Sequence, residues 1–259
     1  MVQVMLDRGA EVINLSVSEV AQAAGAGVAT VVRACQSVGF KGFQAAKIAL
    51  AQDLVPFAGR PQDDIEPGDG PSEVLAKLAA SSDDAIRLTP ASVDPASLAR
   101  AVDVLRGASQ VLFLGVGTSA PLTQDAAYRL LTLGVPALAP ADVHVQHVRA
   151  RLLGPGDAAV AVSHTGSTRE TVNAARGAHD AGATVIAVTS FSTSPLTELA
   201  DITLIAGSRE TRYRVEAMTS RLAHLLVLDT LYVSLVLADP ERTRRAQDLT
   251  SDVLAEHRF

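Results

Sequence analysis

The chain has 259 residues, 48% apolar but only 3% aromatic, with no Trp and a formal charge of −6. That composition is globular; it excludes disorder and collagen-like repeats, and the scarcity of aromatic rings argues against single-stranded nucleic acid held by base stacking. The acidic balance excludes a surface that coats nucleic acid or an anionic membrane as a whole, leaving room for a local basic patch. The length suits one large domain, or a large one plus a small one. Cys35 is the only cysteine, so no internal disulfide forms, and Met1–Glu11 lacks the basic and apolar regions of a signal peptide. A cytoplasmic protein is expected.

From Val17 to Val38 apolar residues fall at 17, 20, 21 and 24, and again at 28, 31, 35 and 38, with Gly25 and Gly27 between. Both groups have helical spacing, and the glycines allow a tight turn. This spacing fits a helix-turn-helix, whose second helix enters the major groove, and an ordinary helical hairpin equally well. In the first case the solvent face of the second helix offers Ala29, Thr30, Arg33, Gln36 and Ser37, with Lys41 and Lys47 following for phosphates. Cys35 falls on the inward side, where core packing is the expected role.

Pro56–Pro71, rich in Pro, Gly and acids, reads as a linker; the part up to residue 60 carries +1 and the remainder −7. Helical patterns follow at Ser72–Ala80 and Pro95–Arg106. Apolar Val111–Leu114 then leads to a helix up to Leu133, Val135–Ala139 to a helix over Asp142–Leu153, and Ala158–Val162 to a helix over Glu170–Ala181. Thr184–Thr189 and Ile202–Ile205 complete five short strands. Continuously apolar strands alternating with helices imply a parallel sheet covered on both faces. Tyr213–Ala238 and Pro240–His257 are expected as long helices. The apolar stretch Leu222–Ala238 contains His224, Asp229, Thr230 and Ser234 and falls short of the roughly 20 residues of a membrane span, so a buried helix is expected.

Two strand-to-helix loops carry the chemistry. Gly115-Val116-Gly117-Thr118-Ser119-Ala120 matches G-x-G-x-x-A and admits a dinucleotide reading, with Asp142 as the ribose carboxylate. Ser163-His164-Thr165-Gly166-Ser167-Thr168 opens the next such helix, and a dinucleotide has no need of it. Two corners rich in hydroxyls and helix-terminal N–H groups, beyond the ends of parallel strands, suit a phosphate with a polyol attached. Helix capping by Ser119, Ser163 and Thr168 is the plainer alternative for any one of them.

His144 and His147 share a helix face and, with His164 or Asp142, sketch a metal site that no second pair completes; neither metal nor cofactor is expected. His179 and His257 are expected to be solvated, and His224 hydrogen-bonded in the core or an interface. Sugar-phosphate isomerisation needs a base, for which Glu170, Glu210, Glu216 and His224 are the candidates.

The runs NLSVSEVA and GFKGFQAAKIAL (Gly39–Leu50) resemble the N-terminal domain of the RpiR-like bacterial transcription regulators. The resemblance implies that Gly39 ends a recognition helix, that Phe40 and Phe43 pack the next helix onto it, and that Lys41 lies near DNA. It departs at Gly27, where the family usually has a capping Ser, and at Gln36 and Ser37, where basic residues are common. Val2–Gly9 looks like the end of a shortened first helix.

GVGTSA, GDAAVAVSHTGSTRETVNAA (Gly156–Ala175), GATVIAVT and SPLTELAD resemble the sugar isomerase (SIS) phosphosugar-binding domain. That likeness implies a three-layer α/β/α sandwich on a five-stranded parallel sheet, with phosphosugar contacts at Gly117, Ser119, Ser163, Thr165, Gly166, Ser167 and Thr168. Thr165 is commonly Ser and Ser167 commonly Glu in that pattern. Glu216 corresponds to a pocket-lining helix.

Together the resemblances imply a helix-turn-helix domain at 1–55, a linker at 56–71 and a SIS domain at 72–259. They imply a regulator of carbohydrate metabolism that binds a double-stranded DNA operator through Thr30, Arg33, Gln36, Ser37, Lys41 and Lys47. They further imply a phosphorylated sugar as effector, and a homodimer or homotetramer with no membrane partner is expected. The alternative they leave is a sugar-phosphate isomerase or related SIS enzyme.

Overall fold

The computed structural model describes residues 16–43, 46, 65–66, 68–207 and 218–256. The chain divides into two compact units, Met1–Arg60 and Pro61–Phe259.

In the first unit α1 (Val17–Ala23) and α2 (Val28–Ser37) pack around Val20, Ala21, Val31, Cys35, Phe43 and Ala46, with Phe40 against the cluster. Ser16 and Glu19 start α1 with a reciprocal capping box: the Glu19 amide donates to Ser16 Oγ at 3.2 Å and the Ser16 amide to Glu19 Oε2 at 2.6 Å. Gly25, at φ +59, ends α1, and Gly39, at φ +97, ends α2. In both the amide of the next residue reaches back to the helix, Ala26 to the Ala21 carbonyl and Phe40 to that of Cys35. Burial pushes the Cys35 thiol pKa up, consistent with a core role. Val28 and Val38, expected on the apolar face, are exposed. Val28 opens the helix next to its Gly27 cap and Val38 is already the closing cap, so at both ends helical spacing stops predicting the face.

The second unit is a parallel sheet between two helical layers. Its elements are α3 (Pro71–Ser92), α4 (Pro95–Gly107), β1 (Val111–Leu114), α5 (Ala120–Thr132), β2 (Ala137–Leu138), α6 (Val143–Arg151), β3 (Ala158–Val162), α7 (Arg169–Asp180), β4 (Thr184–Thr189), β5 (Ile202–Ile205), α8 (Ser220–Ala238) and α9 (Pro240–Glu256). The strand order is β2-β1-β3-β4-β5, all parallel.

The register puts Phe113, Val160, Ile186 and Ile202 in one row, on the face covered by α4, α5 and α8. Leu112, Ala159 and Val185 form a row on the opposite face. There the sheet alanines 159, 161 and 187 meet Ala174, Ala175 and Ala178 of α7, small against small, so that helix lies close on the strands. Each fully buried Phe113, Ile186, Leu204 or Leu231 contributes roughly 1.5–3 kcal/mol by leaving water.

Four of the five strands match their sequence expectation, but β2 is only two residues of the expected Val135–Ala139, an edge strand paired on one side. Helix α3 runs twelve residues beyond the expected Ala80, through the polar run Ser81–Asp84, because its buried side is the small set Ser81, Ala85 and Thr89. Helix α8 is buried on one side only: Ala223, Val227, Leu228, Leu231 and Leu235 join the core against α3, α4 and α5, while Val233 and Leu237 are exposed. It is the one helix among the described residues long and apolar enough to cross a membrane.

Candidate functional site

The strands β1 and β3 are neighbours, yet the chain leaves them for opposite faces, β1 into α5 and β3 into α7. Their two loops therefore diverge and leave a crevice beyond the strand ends, where ligands bind in open α/β sheets.

The first loop is held from behind. Gly115 lies so close to α5 and β3 that a Cβ would stand 2.9 Å from Thr123 Cγ2 of the helix and 3.2 Å from the Val162 carbonyl oxygen of the strand. Gln146 of α6, 2% exposed, accepts from the Gly115 amide at 3.3 Å and donates through Nε2 to the carbonyls of Gly115 (3.1 Å) and Pro140 (2.8 Å). In front, Gly117 adopts φ +58 with nothing within 4 Å of where a Cβ would be, so a ligand can approach the backbone. Ser119 is buried at the end of the following turn, and its hydroxyl caps no helix.

The second loop is fixed just as tightly. Ser163 Oγ and Thr168 Oγ1 are 3.2 Å apart across it, and the Ser167 amide donates to Thr165 Oγ1 at 3.2 Å. Thr168 starts α7 without a side-chain cap bond, so capping does not account for its hydroxyl or for that of Ser119. Gly166 sits at φ +61 under Ser194, and its carbonyl accepts from the Leu196 amide at 3.0 Å. The His164 carbonyl takes the Ser190 amide (3.0 Å) and Thr189 Oγ1 (3.1 Å).

A polar chain runs on from this loop into the core. His164 Nδ1 is 2.8 Å from Ser190 Oγ, which is 3.0 Å from Nε2 of His224 on α8, and that nitrogen is 2.9 Å from the Ala206 carbonyl. Since a carbonyl only accepts, His224 Nε2 carries the proton, and Ser190 can donate to His164 Nδ1. Burial, with His164 as a like-charged neighbour, brings the His224 pKa down to about 4, so it is neutral near pH 7.

The structure thus gathers Gly117, Ser119, Ser163, Thr165, Gly166, Ser167 and Thr168 at the ends of two adjacent strands. Glu216 and Glu210 lie outside the described residues, as do Lys47, His257 and most of the linker. Glu170 is exposed in the first turn of α7, and His179 is exposed beside Asp180. The dinucleotide reading loses its carboxylate: Asp142 Oδ1 accepts from the Val145 amide at 3.0 Å as the cap of α6. His147 Nε2 meets the Glu170 carbonyl at 2.9 Å. In the first unit Thr30, Arg33, Gln36, Ser37 and Lys41 are all exposed, the Arg33 guanidinium reaching back to the Ala29 carbonyl at 3.3 Å.

Sequence reasoning missed Gln146, Ser190 and Ser194. Replacing Gln146 with Leu strands two carbonyls and an amide, and about 2 kcal/mol of unfolding free energy should be lost. Urea denaturation of the variant checks this; an unchanged midpoint and slope would show that the loop holds without its clamp.

A family model described as "SIS domain" matches residues 104–234, and one described as "Helix-turn-helix domain, rpiR family" matches residues 1–56. An uncharacterised HTH-type transcriptional regulator of Caldanaerobacter subterraneus is 34% identical over 97% of this chain and 89% of its own length. Among solved structures, the NanR protein of Vibrio vulnificus complexed with ManNAc-6P is 30% identical, covers 98% of this chain and 91% of its own, and superposes with a TM-score of 0.71. The sugar isomerase domain of an RpiR transcription factor from Sphaerobacter thermophilus, 23% identical over 69% of this chain and 98% of its own, shares the fold with a TM-score of 0.64. With both matched regions in one chain, and a regulator similar over nearly all of it, this protein belongs to the RpiR family of helix-turn-helix transcriptional regulators that carry a SIS domain.

Proposed function

We propose that the chain senses a phosphorylated sugar in the crevice between β1 and β3 and changes its hold on a DNA operator in response. The observation that carries this reading is the pair of opposed corners, whose Ser119 and Thr168 hydroxyls stand at helix starts without serving as caps. In this reading Ser119, Ser163, Thr165, Ser167 and Thr168 donate to phosphate and sugar oxygens, and Gly117 and Gly166 shape the backbone around them. Thr30, Gln36 and Ser37 face base edges in the major groove, while Arg33 and Lys41 reach phosphates. The domain boundaries proposed are 1–55, 56–71 and 72–259.

The site is read as a sensor rather than an isomerase. Neither corner contains a carboxylate, and His224 is 1% exposed with its Nε2 proton on the Ala206 carbonyl. A base that moves a proton between sugar carbons must reach the substrate: buried His224 does not, Glu170 is exposed in the first turn of α7, and Glu210 and Glu216 lie outside the described residues, so turnover is the test between the two readings. Binding two half-sites requires a dimer, for which the exposed Val233 and Leu237 of α8 and Leu249 and Val253 of α9 offer an apolar surface. The assembly we propose is a homodimer or homotetramer, in the cytoplasm.

N-Acetylmannosamine 6-phosphate, the ligand in the NanR structure, is the first effector to try. Fluorescence anisotropy on DNA from upstream of the chain's own gene should show salt-dependent, sequence-selective binding, shifted about tenfold by the correct sugar phosphate. Ser163→Ala should raise the effector concentration needed by about tenfold. Unchanged DNA affinity across a panel of sugar phosphates defeats the coupling, and turnover of any of them favours the isomerase.

A further inference from the structure

Between the later turns of α6 and α7 lies a groove of about 610 Å³ lined by His147, Arg151, Asn173, Arg176, Gly177 and Asp180. Arg176 is eight residues along α7 from Thr168, about 12 Å at helical rise, so this groove is separate from the crevice at the strand ends. It belongs wholly to the second unit.

Its two guanidiniums have no carboxylate within ion-pair distance among the described residues. Arg87, Arg106 and Arg129, by contrast, each pair with an Asp on their own helix. Gly177 shapes the floor: a Cβ there would lie 3.2 Å from Cγ of Arg151. Glycine inside a helix costs about 1 kcal/mol against alanine, and at this position its bareness lets the Arg151 stem cross α7. The His147 ring is pinned by its bond to the Glu170 carbonyl. Two arginines beside Asn173 and Asp180 thus combine anion-binding forks with groups that can hold neutral hydroxyls.

We propose that this groove is a second anion site, taking the phosphate of a small hydroxylated metabolite on Arg151 and Arg176, with its hydroxyls toward Asn173 and Asp180. Placed on the outer side of α7, it would let a second metabolite act on the helix that opens from the sensing loop. It does not rest on the phosphosugar reading of the crevice.

The full-length protein is modified with phenylglyoxal, with and without saturating inorganic phosphate and with chloride matching the ionic strength, and each arginine is followed by peptide mass spectrometry. Phosphate should slow modification of Arg151 and Arg176 about threefold or more, leaving exposed Arg244 and Arg245 of α9 unchanged. Arg176→Gln should remove the protection at Arg151, whereas Ser163→Ala, which alters only the crevice, should leave it intact. Equal protection of all four arginines, or of none, overturns the site. So does protection of Arg151 that survives Arg176→Gln or disappears in Ser163→Ala.

Discussion

Gly166→Ala is expected to abolish effector binding and to lower the unfolding free energy of the protein by about 3 kcal/mol. Two costs add. At φ +61 an L-residue pays roughly 1–2 kcal/mol for its Cβ. The new methyl would also stand 2.6 Å from Cβ of Ser194, closer still to its Oγ, and 3.2 Å from Thr189 Oγ1. Ser194 cannot simply yield, because its amide and hydroxyl are tied to Thr197, with the Ser194 amide donating to Thr197 Oγ1 at 2.8 Å. The loop must move instead, carrying Ser163, Thr165 and Thr168 out of register with the first corner. Urea denaturation and calorimetric titration with a sugar phosphate measure the two effects. In the double variant Gly166→Ala/Ser194→Gly the clash is removed but the backbone strain stays, so the pair should cost less than the sum of its singles. Strict additivity would show that Ser194 does not press on the loop.

That contact also marks the limit of what the sequence reveals. The strands VLFL, AAVAV and TVIAVT were legible because strands buried on both faces leave largely apolar runs, each followed here by Gly or Ser; ITLI, at the sheet edge and fully buried only at alternate residues, was legible as a short β-branched run. The hydroxyls of the two loops were legible because each loop is a contiguous stretch of chain. Gln146 was not, since it meets Gly115 across 31 residues and sits as one buried polar side chain on a helix that is otherwise largely exposed. Ser194 likewise reaches Gly166 from 28 residues away, in a stretch whose Ser and Thr residues read as ordinary loop. Periodicity reports which face is buried but not which partner waits there. For the same reason β2, bounded by the sheet edge, and α3, whose buried face is made of small residues, were misjudged in length.

Acid should weaken the fold through His224, and the window is set by its pKa. Unfolded, the imidazole titrates near 6.5; folded, burial holds it near 4. The unfolded chain therefore binds more protons between these values, and stability falls as pH drops through them. The contribution is complete above about pH 6.5, diminishes toward pH 4, and amounts to about 3 kcal/mol over that span. Carboxylates titrate in the same range, so the measurement is a difference: urea unfolding of the wild-type protein and of His224→Gln at pH 7 and at pH 4. The variant should be less stable at neutral pH, having lost the bond to the Ala206 carbonyl, and the gap should narrow by about 3 kcal/mol on acidification. Parallel pH profiles would mean that His224 is not held neutral by its surroundings. Protonation would also place a charge 3.0 Å from Ser190 Oγ, whose other partner is His164 of the sensing loop. Effector affinity should accordingly fall with pH in the wild type before the protein unfolds, and fall less in His224→Gln.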